Sequence, residues 1–244
     1  MLISTLFAAA IWPVTVTRDC EPNADTSVVG VAKNESGNIL YCEFFNEADE
    51  NSLKINYVAN GKIFAEKSLR FSEYPFLPVV TQHDFRDGER RQADVSEQHV
   101  QLRYQANSHK KIDTAVIPLK NVDILDAGFD NFIRANWDDL KLGKTLSVNF
   151  ASIAHLKTLP LRVRSQPLEK CSVKVEKQSS TTCIFVEIDN ALLRIILGNI
   201  KLLYDDKKRL SEFNGIVNIQ DDKQANQKAI IHYFYRGDYL HSNN

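Results

Sequence analysis

Asp84, Arg86, Asp87 and Glu89 fall within one six-residue run, and acids interleaved with arginine over so short a stretch could hold a divalent cation or a phosphate. A hydrolase or transferase with a loop-built site would use them so, and a solvated loop has the same composition. Asp126 and Asp130, four residues apart, form a second carboxylate pair of the kind that does acid and base work. Helix capping accounts for them better. Asp123 or Asp126 can accept an N–H of a first helical turn, acids at that end complement the helix dipole, and Arg134 can pair with Asp130 or Asp138. The histidines His83, His99, His109, His155, His232 and His241 lack the H-x-x-x-H or H-x-H spacing that sets two metal ligands on one face. There is no G-x-S-x-G elbow, no glycine-rich phosphate loop and no G-x-G-x-x-G. The sequence therefore assigns no catalytic residue, no metal ligand and no cofactor.

Four cysteines, Cys20, Cys42, Cys171 and Cys183, are even in number and none lies in a C-x-x-C spacing, which argues against a thiolate metal site. Proximity in sequence pairs Cys20 with Cys42 and Cys171 with Cys183. Free buried thiols are the alternative, above all for the second pair, because a tight turn near Ser179 would set Val175 opposite Cys183. Leu2 to Trp12 is uncharged and mostly apolar, with Ala8, Ala9 and Ala10 offering a cleavage site of signal-peptide type. No Lys or Arg precedes the run, and it is shorter than a usual apolar region, so a buried first strand competes with the leader. Residues 1–18 are read as one or the other, and 19–244 as one β-rich domain. Export to the periplasm or the medium is the expectation, a cytoplasmic location the alternative. The net charge of −1, from 30 basic and 31 acidic residues, gives no field that would draw nucleic acid, and no apolar stretch approaches the ~20 residues of a spanning helix.

The elements that must position any site are mostly strands. Ser27 to Lys33, Ile39 to Phe45, Leu53 to Val58 and Ile63 to Phe71 read as a meander. Asn60-Gly61 joins the last two, since both residues tolerate the positive φ of a type I′ turn. Between Ser72 and Glu97 the pattern breaks into a loop with an extended piece at Val79 to Phe85; a mobile lid is the functional reading of that stretch. Val100 to Tyr104 and Thr114 to Ile117 make another strand pair. Thr145 to Phe150, Leu159 to Arg164, Lys170 to Lys177 and Thr181 to Ile188 alternate with the two-residue period of half-buried strands. Ala191 to Leu197 reads as a helical turn, followed by strands from Ile200, at Gly215 to Ile219 and at Ala229 to Tyr235. In Asp123 to Leu140 alone, apolar residues recur at helical spacing, with Phe129, Phe132, Ile133, Trp137 and Leu140 on one face and Gly143 placed to end the helix.

Gly37-x-x-x-Tyr41-x-Glu43, Tyr57-x-x-x-Gly61-x-x-x-Ala65-x-Lys67, Asp126-Ala-Gly-Phe-Asp130 with Trp137, Leu203-Tyr-Asp205 and Gly215-x-x-Asn218-Ile219 follow one another in this order. Together they resemble a family of uncharacterised bacterial proteins known from proteobacterial genomes, over roughly residues 28 to 235. The family implies no activity. In outline its strand pattern is similar to the half-barrels of periplasmic lipoprotein carriers, which shelter acyl chains between a curved sheet and helices, an analogy of fold alone.

The expected architecture is mainly β with one or two helices, α+β in class: a strongly curved antiparallel sheet or open half-barrel covered by the helix from Ala127 to Leu140. A helix face with two Phe and a Trp must bury them against a large apolar surface, which only the concave side of a sheet provides. The same face could line a groove for a lipid or other hydrophobic small molecule, and Phe129, Phe132, Ile133 and Trp137 are the candidate ligand-binding residues. The function expected is that of a non-enzymatic, exported binding domain. A loop-based hydrolase or transferase, and a protein-binding module that uses sheet edges, are the alternatives.

Overall fold

The computed structural model describes residues 19–171, 181–189 and 199–237. The leader run 1–18, most of the strand expected at Lys170 to Lys177 and the helical turn expected at Ala191 to Leu197 lie outside them. Eight strands come first: β1 (Thr26–Lys33), β2 (Ile39–Asp49), β3 (Ser52–Ala59), β4 (Lys62–Arg70), β5 (Val79–Asp84), β6 (Arg90–Val95), β7 (His99–Gln105) and β8 (Asp113–Pro118). After them come β9 (Ile124–Leu125), helices α1 (Gly128–Ala135) and α2 (Trp137–Lys141), then β10 (Thr145–Ser152), β11 (Lys157–Gln166), β12 (Thr182–Ile188), β13 (Ile200–Tyr204), β14 (Leu210–Gln220) and β15 (Asn226–Tyr235). All belong to one sheet, ordered β8 down to β1, then β15 down to β9, antiparallel throughout except for the two-residue parallel pairing of β9 with β10.

That order forces the sheet to curl. Laid flat, its fifteen strands would put β8 and β9 roughly 65 Å apart at about 4.8 Å per spacing. Yet only Leu119 to Asp123 join them, a link that spans about 20 Å at most. Leu119 N–H donates to Gln98 O beside β7, and Asp123 N–H donates to Asn149 O on β10, so the link ties one edge to the other. The result is a mostly-β, strongly curved open sheet, wound until its edges nearly meet.

The expected meander of the first four strands is present, and Asn60 and Gly61 turn it with φ of 52° and 72°. The stretch expected as a loop differs. It contains β5 and a second strand, β6, in a hairpin. The sequence hides β6 because two successive inward positions, Glu89 and Arg91, are charged and bind one another, so the apolar alternation is missing where the strand begins.

The helix also differs from a single Asp123–Leu140 element. Ile124 and Leu125 are fully buried and extended, paired with Phe150 and Ala151. Helix α1 starts only at Gly128, where a Cβ would lie 2.0 Å from the carbonyl oxygen of Phe76, so only glycine permits that approach. The helical run then breaks at Asn136, with φ of −104° and ψ of 20°, whose side chain donates to Phe132 O. Neither Asp123 nor Asp126 caps α1. Asp123 accepts the N–H of Asn149, and Asp126 accepts those of Ala127 and of the Lys67 ammonium. Arg134 pairs with Asp130 rather than Asp138. Gly143, at φ of 81°, closes α2 as expected.

Both proximity pairings of the cysteines are made, with Cα separations of 5.9 Å for Cys20–Cys42 and 5.8 Å for Cys171–Cys183. Cys171 is not on a strand facing Cys183 across a tight turn. It follows a 3-10 turn, Leu168–Lys170, that leaves β11 where Gln166 is paired with Cys183. Among the described residues, no helix is long and apolar enough to cross a membrane.

Candidate functional site

Strand alternation turns Tyr41, Glu43 and Phe45 of β2, Ile55 and Tyr57 of β3, Ala65, Lys67 and Leu69 of β4, and Val80, Gln82 and Asp84 of β5 to the inner side of the curl. Register then assembles two rungs. One runs Tyr233, Gly30, Glu43, Tyr57, Ala65, Asp84 across β15, β1, β2, β3, β4 and β5. The next runs Val28, Phe45, Ile55, Lys67, Gln82, Arg91, Tyr104 from β1 to β7. Gly30 makes the first rung feasible, because a Cβ there would lie 3.0 Å from both Glu43 Oε2 and Tyr233 Cε1.

Ionisable groups inside an apolar core cost several kcal/mol each unless they are paired, so their partners decide what they can do. Lys67 Nζ lies 2.8 and 2.9 Å from the two oxygens of Asp126. Asp84 holds Arg86 at 2.6 Å and Glu89 holds Arg91 at 2.7 Å. Glu43 receives the Tyr233 hydroxyl at 3.3 Å. Burial pushes its carboxyl up to about 7, against the opposing pull of Lys67 and of the Tyr233 hydrogen bond. Burial likewise holds the Tyr41, Tyr57 and Tyr233 hydroxyls protonated, well above the usual phenol range. Two more polar atoms on the inner side, Tyr41 OH and Gln82 Oε1, have no hydrogen-bond partner although their residues are only 2% and 3% exposed.

The four residues expected from the sequence sit in the other half. Phe132, Ile133 and Trp137 are buried and Phe129 is half-buried, all against the inner face of β10–β13. Trp137 stacks edge-on to Tyr204 at 5.7 Å, and Phe132 meets Phe76 at 5.6 Å. The structure thus brings the four together, apart from the Glu43 cluster.

The acids and arginine of the β5–β6 hairpin are also brought together, largely on one another. Asp87 accepts the N–H of Glu89, and Arg86 reaches Asp222 at 3.0 Å and Gln220 O at 2.8 Å, which fastens this hairpin to the β14–β15 turn. Beside it lies an open groove of 410 Å³ lined by Phe85, Arg86, Asp87, Gly88, Asn107, Ser108, His109 and Gln224. Among the described residues, no group of three or more His, Cys, Asp or Glu side chains could hold a metal ion.

Glu43, Lys67 and their tyrosines escape sequence reasoning as a site because the motifs that contain Tyr41, Glu43, Tyr57 and Lys67 carry only the family resemblance and no recognisable chemistry. The available signal was a charge in phase with apolar residues two positions away on each side, Tyr41-x-Glu43-x-Phe45 and Ala65-x-Lys67-x-Leu69.

No family model and no curated protein matches the chain. Among solved structures it is similar to a beta-barrel-like protein of domain of unknown function DUF1849 from Brucella abortus, with a TM-score of 0.48 and 8% identity over 86% of this chain and 96% of that one.

Proposed function

We propose that the protein is an exported, non-enzymatic binding domain for a hydrophobic or amphiphilic small molecule whose polar end meets the Glu43 cluster. The observation that carries this reading is the set of buried polar groups left without partners, Tyr41 OH and Gln82 Oε1, beside a carboxyl bound only weakly by Tyr233. Buried polar atoms are nearly always satisfied, and a ligand's polar group would satisfy these. The ligand's apolar part lies along the seam of the two cores, where Phe213 touches both and where Phe129, Phe132, Ile133 and Trp137 close the far side. The two disulfides support an oxidising, exported compartment, periplasmic or secreted, since such bonds persist there and are rare in the cytosol.

Native mass spectrometry of the protein purified without detergent, before and after extraction with organic solvent, tests the reading. A stoichiometric small-molecule adduct that extraction removes is expected. No adduct, together with no thermal stabilisation by any member of a panel of neutral, anionic and cationic amphiphiles, would overturn it.

A further inference from the structure

Among the described residues, the inner side of β2 and β4–β6 and the turn before α1 gather four carboxylates, Glu43, Asp84, Glu89 and Asp126, and three cations, Lys67, Arg86 and Arg91. Three pairs form, Asp126 with Lys67, Asp84 with Arg86 and Glu89 with Arg91. Glu43, 6% exposed, is the acid left without a cation of its own. Its neighbours are aromatic. Tyr57 stands directly opposite on β3, Tyr233 lies across Gly30, and Tyr41 and Phe45 flank it on its own strand face. The rings are close-set, with 5.9 Å between Tyr41 and Tyr57 and 5.9 Å between Phe45 and Tyr233.

Glu43, whose nearest cation Lys67 is held by Asp126, lies among electron-rich rings and offers what a desolvated organic cation requires, since aromatic rings attract positive charge and an arriving cation draws the carboxyl into the ionised form that neutralises it. A metal ion would ask for several oxygen donors around one point, and no such group is present among the described residues. An anionic head would hold Glu43 in its protonated form and gain no charge pairing there. The Tyr41 hydroxyl adds an acceptor for an N–H or a polarised methyl group. Resting on the binding reading above, we propose that the ligand's polar end is an organic cation, an alkylammonium group seated against Glu43 among Tyr41, Tyr57 and Tyr233.

Calorimetric titration of the full chain with hexyltrimethylammonium, hexyl sulfate and hexyl glucoside tests this, since the three share a tail and differ in head charge. The cation is expected to bind roughly tenfold or more tightly than the other two, and Glu43→Gln to abolish that preference. Glu35→Gln, which removes an acid from the exposed β1–β2 loop, is expected to leave it unchanged. Thermal melts establish that each variant is folded; should Glu43→Gln melt non-cooperatively, Tyr41→Leu, which keeps the carboxylate and removes one ring, is expected to weaken the cation severalfold. Binding with no preference for the cationic head, or a preference that survives both Glu43→Gln and Tyr41→Leu, would overturn the cation and leave the binding domain standing. No binding by any of the three probes would overturn both.

Discussion

Around β2–β5 and β15 the inner face of the sheet carries Glu43, Lys67 and Gln82 among tyrosines, whereas around β10–β13 the same face carries Val148, Leu161, Val163, Ile184, Val186 and Leu202 and is covered by α1 and α2. Both regions belong to one antiparallel sheet with the same curvature problem, a concave surface that must be filled. Where a helix is available, aromatic side chains on its face fill the space, and the apolar area removed from water supplies the stability. Where none is available, long strand side chains reach inward, and several carry charge that must be paired to be tolerated. The helical half is thus built for stability. The tyrosine half gives up stability that a wholly apolar filling would provide, and it is the half to which the proposed binding function is assigned.

Truncation breaks this comparison most directly. Trp137→Ala removes a large buried ring from the helical half and is expected to cost about 3–5 kcal/mol, a sizeable part of a domain's stability, to the same degree at pH 5 and pH 8. Urea unfolding at the two pH values checks it; a loss below about 1 kcal/mol would show that Trp137 is not core. Lys67→Met in the other half is expected to cost on the order of 3–5 kcal/mol, because Asp126 loses its ammonium partner and the nearby Glu43 loses a compensating charge. Combined with Glu43→Gln it should cost clearly less, so a double-mutant cycle reads their coupling, and strict additivity would separate the two residues.

How much of this the sequence carried depended on the distance over which each feature is encoded. The β3–β4 hairpin is written in two adjacent residues, Asn60 and Gly61, and the aromatic helix face in a single stretch, so both were legible. The break at Asn136 was not, because residues 128–141 keep their apolar spacing through it. The joining of the two halves into one sheet depends on β1 meeting β15, two strands at opposite ends of the described chain, and no local pattern records that. The Glu43 cluster shares the difficulty, since Lys67 and Asp126 are 59 residues apart and Tyr233 and Glu43 are 190 apart. Charged inward positions hid β6 for a related reason: alternation of apolar residues is a proxy for burial, and it fails where paired charges are what is buried.

Protonation separates the halves without removing a side chain's bulk. Glu43 is protonated in the folded protein up to about pH 7 and in the unfolded chain only up to about 4.5. Between those values the folded state binds more protons, so this group lowers stability progressively as pH rises from about 4.5 to about 7, and the loss is complete above that. The full effect is on the order of 3 kcal/mol. Glu43→Gln keeps the shape and an acceptor for Tyr233 but cannot ionise. It is expected to melt later than the wild type at pH 8 and with it at pH 4.5; equal melting at both would mean that Glu43 ionises without cost.

Two glycines, one from each half, give the smallest and most local contrast. Gly143 ends α2 at φ of 81° with open space where a Cβ would go, so Gly143→Ala is opposed only by the left-handed backbone, at about 1 kcal/mol. Nothing ionisable in the apolar core is disturbed by it, and the cost should be the same at pH 5 and pH 8. Gly30 has ordinary backbone, but a methyl group there would press on Glu43 and Tyr233 at 3.0 Å each, and Gly30→Ala is expected to cost on the order of 1–2 kcal/mol by pushing them apart. Tyr233 favours the ionised carboxyl of Glu43, so its displacement penalises the folded protein only where Glu43 is charged. The cost of Gly30→Ala should therefore be larger at pH 8 than at pH 5. Thermal melts of both variants at the two pH values read the contrast, and a pH-independent loss for Gly30→Ala would show that the glycine makes room for packing alone and not for the Glu43–Tyr233 contact.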